Sequence, residues 1–166
     1  MISVRNIFVN KNEQHMKDFT TVNDILDFAM NSEQESVDFY KDLAENTTNE
    51  DMRQVFNQFA QEEINHKARI MKIKDEGTFD LPGEKLHDLK VSDYMVSVKP
   101  HPDMNYQDAL VLAMNKEKAT FRLYMDLAEK APTEEMKKLF LTLAQEESRH
   151  KLRFELEYDD YVLREN

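Results

Sequence analysis

The stretch AQEEINHK at residues 60–67 returns as AQEESRHK at residues 144–151. Both copies lie in runs of helix formers without Gly or Pro. On a helix, residues three and four apart share a face. Glu63 and His66 therefore lie together, as do Glu147 and His150. That face is the apolar one. Met52, Phe56, Phe59, Glu63, His66, Ile70 and Ile73 succeed one another in steps of four and three, the seam that a bundle helix turns towards its partners. Met136, Phe140, Leu143, Glu147, His150 and Phe154 do the same. A charged residue in mid-seam costs free energy unless it is paired or ligated. A lone Glu-x-x-His on a charged helix is usually solvated surface; two copies in matching seams are not.

Displacing the chain by 84 residues lays Ala29–Arg69 on Ala113–Arg153 without a gap, with 19 of 41 positions identical. Self-similarity of that extent makes the chain two copies of one unit, here a helical hairpin. The pattern predicts a first helix from Val22 to Asn46, capped by Thr20 or Thr21. Thr47 and Glu50 have capping-box spacing and open a second helix to about Asp75, with Gly77 as its stop. A third runs from Asn105 to about Lys130, and APTEEM, with Pro132 at the entry, starts a fourth that reaches Tyr158 or beyond. Residues 76–104, with LPGEK and KPHPD, read as a long crossover carrying a short helix near 84–97. Residues 1–20 read as an N-terminal arm. The expectation is an all-α chain, one domain over 1–166, whose core at about 22–158 is a four-helix bundle of two repeated hairpins.

The other two helices complete the layer. Val22, Leu26, Ala29, Glu33, Ser36, Tyr40 and Leu43 form one seam; Tyr106, Leu110, Ala113, Glu117, Thr120, Tyr124 and Leu127 form its counterpart. Glu33 and Glu63 lie equally far from the first turn, and Glu117 and Glu147 equally far from the second. Antiparallel pairing brings each pair to one height. Four carboxylates and two imidazoles then share one layer. Unpaired, they would repel and be poorly solvated, so they must protonate, pair or bind metal. The seams hold no Lys or Arg near these positions. Two divalent cations would offset the four charges, and oxygen plus imidazole ligation suits iron or manganese. One Glu from each of two helices, with Glu-x-x-His from each of the others, is the ligand pattern of ferritin-like di-metal bundles.

Composition narrows the alternatives. The net charge of −11 argues against a nucleic-acid or anionic-membrane surface. There is no Cys, which excludes disulfides, thiolate metal sites and a catalytic thiol. MISVRNIFVNKNEQHMKDF at 1–19 has no long apolar core, and no later run reaches a membrane-spanning length. A cytoplasmic protein with no membrane partner is expected.

EEINH and EESRH, with Glu33 and Glu117 each seven residues before Tyr40 and Tyr124, resemble the di-iron domain of the rubrerythrin family. The resemblance covers about 22–158. It implies a ferritin-like fold and a non-haem centre of two iron ions, with manganese or zinc as alternatives, reacting with peroxide or dioxygen. By position it implies Glu33, Glu63, Glu117 and Glu147 as carboxylate ligands, with Glu63 and Glu147 as bridges, and His66 and His150 as imidazole ligands. Two departures stand out. A rubredoxin-like domain needs four cysteines, so electrons would come from an external donor, a rubredoxin-like or flavin protein. The peroxidase members carry a further glutamate one turn after the third-helix ligand; Thr120 stands there. A homodimer is expected.

Other residues carry less. Glu62 and Glu146 lie off the seam and read as neighbours of the ligands or as solvated side chains. Tyr40 and Tyr124 fit equally a core aromatic and a hydrogen bond to a liganding carboxylate. His15, His87 and His101 read as surface, and the ten Met residues as core filling. Three functions compete: an oxidoreductase reducing peroxide or dioxygen, an iron-handling protein that oxidises ferrous iron for storage or transfer, and a bundle stapled by structural metal. An open coordination position favours the first.

Overall fold

The computed structural model describes residues 19–81, 85–86, 88–96 and 104–166. Four long helices dominate: α1 (Val22–Asn46), α2 (Glu50–Glu76), α3 (Tyr106–Lys130) and α4 (Glu134–Glu165). No strand occurs among the described residues. This is the all-α, ferritin-like four-helix bundle.

The helix starts are set by local chemistry. Thr21 caps α1 with a full capping box, its hydroxyl accepting from the Asp24 amide while the Asp24 carboxylate accepts from the Thr21 amide. Asn105 and Thr133 cap α3 and α4. Pro132 thus stands just outside α4. Gly77 ends α2 in the left-handed region, with φ 61°, which a residue with a Cβ adopts only under strain.

The turn between α1 and α2 differs from the expectation. Asn49, not Thr47, caps α2, accepting from the Met52 amide at 3.2 Å. Thr47 is occupied elsewhere. Its amide closes α1 on Leu43, and its carbonyl accepts from Arg53 Nη2 at 2.9 Å. Its hydroxyl accepts from the Asn49 amide at 3.2 Å instead of from an amide of α2, so Asn49 takes the cap and α2 begins at Glu50. The crossover contributes a four-residue 3-10 turn, Val91–Tyr94. The rest of the expected short helix is not continuous: residues 85–86 are helical, 88–90 and 95–96 are not, and residues 84, 87 and 97 lie outside the described residues, as do residues 1–18 of the arm and His15, His87 and His101. Tyr94 ties the crossover to α3 by donating to Asp126 at 2.7 Å.

Within each hairpin the two backbones run close together, whereas the hairpins meet mainly through side chains. The core is divided accordingly. Leu26, Ile70, Leu127 and Phe140 belong to one apolar cluster. Leu43, Phe56, Leu110 and Phe154 belong to another. Burial of such side chains contributes roughly 1.5–3 kcal/mol each, which holds the four helices in place around the polar layer between the clusters.

Candidate metal centre

The six seam residues converge. Glu33, Glu63, His66, Glu117, Glu147 and His150 are all buried, none more than 2% exposed. They form two overlapping quartets: Glu33, Glu63, His66 and Glu147; and Glu63, Glu117, Glu147 and His150. In each quartet the candidate ligand atoms lie within 4.8 Å of one another. Glu63 and Glu147 belong to both. One comes from each hairpin, so the shared pair joins the halves of the bundle.

The donor atoms point at each other, and of the imidazole Nδ1 contacts only that of His66 with Glu147 Oε1 is a hydrogen bond. His66 Nδ1 lies 2.9 Å from both Glu63 Oε2 and Glu147 Oε1. His150 Nδ1 lies 2.8 Å from Glu63 Oε1. Yet both Glu63 oxygens, Glu117 Oε2 and His150 Nδ1 are buried with no partner in hydrogen-bond geometry. Buried polar atoms are almost always satisfied, and four orphans around one point leave a strong need for an electrophile there. Hard oxygen donors with two imidazoles match divalent iron or manganese. The set therefore fits two such ions.

The surrounding network crosses between the hairpins. His66 on α2 has its Nε2 2.5 Å from Glu146 Oε2 on α4. His150 on α4 has its Nε2 2.7 Å from Glu62 Oε2 on α2. Each outer carboxylate in turn meets an arginine: Arg69 approaches Glu146 at 3.4 Å, and Arg149 approaches Glu62 at 2.5 Å. Glu62 and Glu146 are thus neighbours of the imidazoles rather than freely solvated. With Nε2 donating to a carboxylate, Nδ1 is left as the lone-pair donor facing the quartet. The tyrosines cross as well. Tyr40 on α1 donates to Glu117 on α3, and Tyr124 on α3 donates to Glu33 on α1. Both phenols are fully buried and their pKa values lie well above the ordinary range, through burial and the neighbouring carboxylates.

Without a cation the cluster neutralises itself with protons. Burial first, then the neighbouring carboxylates, raise Glu33 and Glu147 well above the usual range. Burial alone would lower the imidazoles, but the carboxylates outweigh it. His66 rises to about 10 through Glu33 and Glu63, and His150 to about 11 through Glu117 and Glu63. Metal binding must displace these protons.

Sequence reasoning did not find two features. Arg69 and Arg149 have no seam position to mark them, although both stand in the repeated blocks. Phe59 stacks on His150 with centroids 4.0 Å apart; the seam assigns Phe59 to the core but not to an imidazole face. Thr120 is turned back on its helix, donating to the Lys116 carbonyl at 3.0 Å.

The family model for rubrerythrin matches residues 24–158. Neither a curated protein nor a solved structure matches the chain.

Proposed function

The chain belongs to the rubrerythrin family, and from that premise we propose that it is a non-haem di-iron oxidoreductase that reduces peroxide or dioxygen with electrons from an external donor. The observation that carries the reading is the pair of overlapping quartets sharing Glu63 and Glu147. On this reading Glu33, Glu63, His66 and Glu147 hold one ion, and Glu63, Glu117, Glu147 and His150 hold the other. Two iron ions bound there would supply the electrons for reduction of the oxidant.

The protein's part is positional. Tyr40 and Tyr124 restrain Glu117 and Glu33 by hydrogen bonds from the opposite hairpin. Glu62 and Glu146 fix the imidazole orientation. Phe59, Phe154 and Tyr40 pack together beside His150 and limit water. With no cysteine in the chain, a rubredoxin-like or flavin protein is the expected reductant class, and the working unit is a homodimer. No helix among the described residues is long and apolar enough to cross a membrane.

The test is reconstitution with ferrous iron without oxygen, followed by metal analysis and rapid mixing with peroxide or, separately, dioxygen. Two ions per chain and faster oxidation by peroxide are expected. Oxidation no faster with peroxide than with dioxygen would move the reading to iron oxidation and handling. Failure of both oxidants would leave the metal a structural role.

A further inference from the structure

Glu157 is 4% exposed, and the function proposed above gives it no part. It continues the α4 seam one step beyond Phe154, and it accepts a hydrogen bond from the Tyr106 hydroxyl of α3 at 3.1 Å. A buried carboxylate in an apolar seam costs free energy. The repeat supplies an internal control. At the same displacement of 84 residues, Glu157, Tyr106 and Phe154 are replaced by Ile73, Val22 and Ile70. The bundle itself therefore does not require this pair.

Tyr106 also stands in a run of rings. Its centroid lies 6.4 Å from that of Phe56 and 5.2 Å from that of Tyr161. Phe56 lies 6.1 Å from Phe154, and Phe154 lies 5.3 Å from Tyr40, which donates to Glu117 at the metal centre. Tyr161 is half-buried, so the run leads from the candidate ligands to the surface. The other end of the bundle differs. Tyr124, Phe140 and Phe79 follow one another at 6.3 and 5.4 Å, and that run ends on a buried ring without a hydroxyl. Tyr94, at the same end, packs on Phe19 instead.

We propose that Tyr106 is a redox-active tyrosine that feeds an electron to the centre through Phe56, Phe154 and Tyr40, with Glu157 as its proton acceptor. The proposal rests on the di-iron reading above and applies when dioxygen is the oxidant. Reduction of dioxygen to water takes four electrons, of which two ferrous ions hold two. Tyr106 supplies the third. Its O–H bond breaks, the electron passes inward, and the proton moves to the Glu157 carboxylate, leaving a neutral phenoxyl radical. The external donor supplies the fourth electron, and solvent supplies the protons of the water formed. One more electron from that donor, with the proton returned by Glu157, restores Tyr106. The 3.1 Å contact lies within the reach of direct proton transfer. Burial, then Glu157, hold the Tyr106 phenol well above its ordinary pKa, so the proton leaves only with the electron.

The test is to mix ferrous-loaded protein with dioxygen, a small excess of ferrous iron standing in for the donor, and to freeze samples at intervals for electron paramagnetic resonance. Iron content and circular dichroism are read on the same samples. A tyrosyl signal is expected, altered when the chain carries ring-deuterated tyrosine. Tyr106→Phe, which keeps the ring and loses only the hydroxyl, should abolish it. Tyr94→Phe, at the other end of the bundle, should keep it. Glu157→Gln keeps an acceptor but cannot take the proton, and should slow the appearance of the signal by roughly 100-fold. Oxidation of the iron without a tyrosyl signal overturns the proposal. So does a signal that survives Tyr106→Phe in folded, iron-loaded protein, or one that forms equally fast in Glu157→Gln. A chain that binds no iron, or whose iron dioxygen does not oxidise, overturns the di-iron reading and this proposal with it, so the two failures are distinguishable.

Discussion

Hairpin α1–α2 and hairpin α3–α4 place the same residues at the polar layer: Glu33 with Glu117, Tyr40 with Tyr124, Glu62 with Glu146, Glu63 with Glu147, His66 with His150, and Arg69 with Arg153 by the repeat. Around that layer they diverge. Phe59 stacks on His150, whereas its repeat partner is Leu143. Asp126 accepts from Tyr94 of the crossover, whereas its counterpart Asp42 has a buried oxygen with no partner. The arginine roles show the same drift: Arg69 reaches Glu146, but it is Arg149, not Arg153, that reaches Glu62. Constraint is thus tight where ligand atoms must converge and loose one layer out. A metal quartet fixes atoms to a few tenths of an ångström, while a supporting contact can be made from more than one position.

The strongest way to break the equivalence of the halves is through the shared carboxylates. Glu63→Ala and Glu147→Ala each remove a member of both quartets. Each should cost at least one ion per chain, and the two should cost the same. Glu33→Ala and Glu117→Ala touch one quartet each and should spare the other ion. Iron stoichiometry after anaerobic reconstitution decides; an intact pair of ions in Glu63→Ala would show that the quartets do not share it.

Protons give the next largest effect, and its sign is fixed by the buried groups. Glu33 and Glu147 are held neutral in the fold, so each costs stability as pH rises above the ordinary value of 4.5. His66 and His150 contribute stability that is full below 6.5 and lost as pH rises through about 10 and 11. All four act in one direction. The metal-free chain should therefore melt progressively lower as pH rises through that window. Loaded protein should show the opposite slope on the acid side, because protons compete with metal for the same atoms. Scanning calorimetry of both forms across pH tests this, and a metal-free melting temperature that rises with pH in that window would contradict it.

The crossed network should have a smaller effect. Glu62→Ala and Glu146→Ala leave all six inner residues in place but release one imidazole each. Metal affinity should fall about 10–100-fold, less than for the shared carboxylates. Competition against a metal-binding dye would measure it. A loss equal to that of Glu63→Ala would make the outer carboxylates ligands in their own right.

The smallest effect separates equivalent positions by sign. Burial, then Glu45, raises Asp42 to about 6. Its charge is therefore a modest cost at neutral pH, discounted because the side chain is only partly buried. Asp42→Asn should stabilise by less than about 1 kcal/mol. Asp126→Ala, which removes the acceptor of Tyr94, should destabilise by about 1 kcal/mol. Urea unfolding of the two variants gives the comparison, and shifts of the same sign would mean that the crossover contact is not what distinguishes the two halves.

The sequence alone determined the four helices, their antiparallel pairing in hairpins and the six residues of the polar layer. The reason is periodicity: a residue's place on a helix follows from its number, and the repeat gives every placement a second copy. Even there the α1–α2 turn escaped, because Thr47 and Asn49 are both good caps and only the engagement of the Thr47 hydroxyl with the Asn49 amide chooses between them. Tertiary structure decided which hairpin each supporting side chain serves. Tyr40 bonds Glu117 rather than Glu33, and Glu62 meets His150 rather than His66. Spacing along one helix cannot reveal this, because these bonds form between helices far apart in the chain, after the bundle has set their heights and rotations.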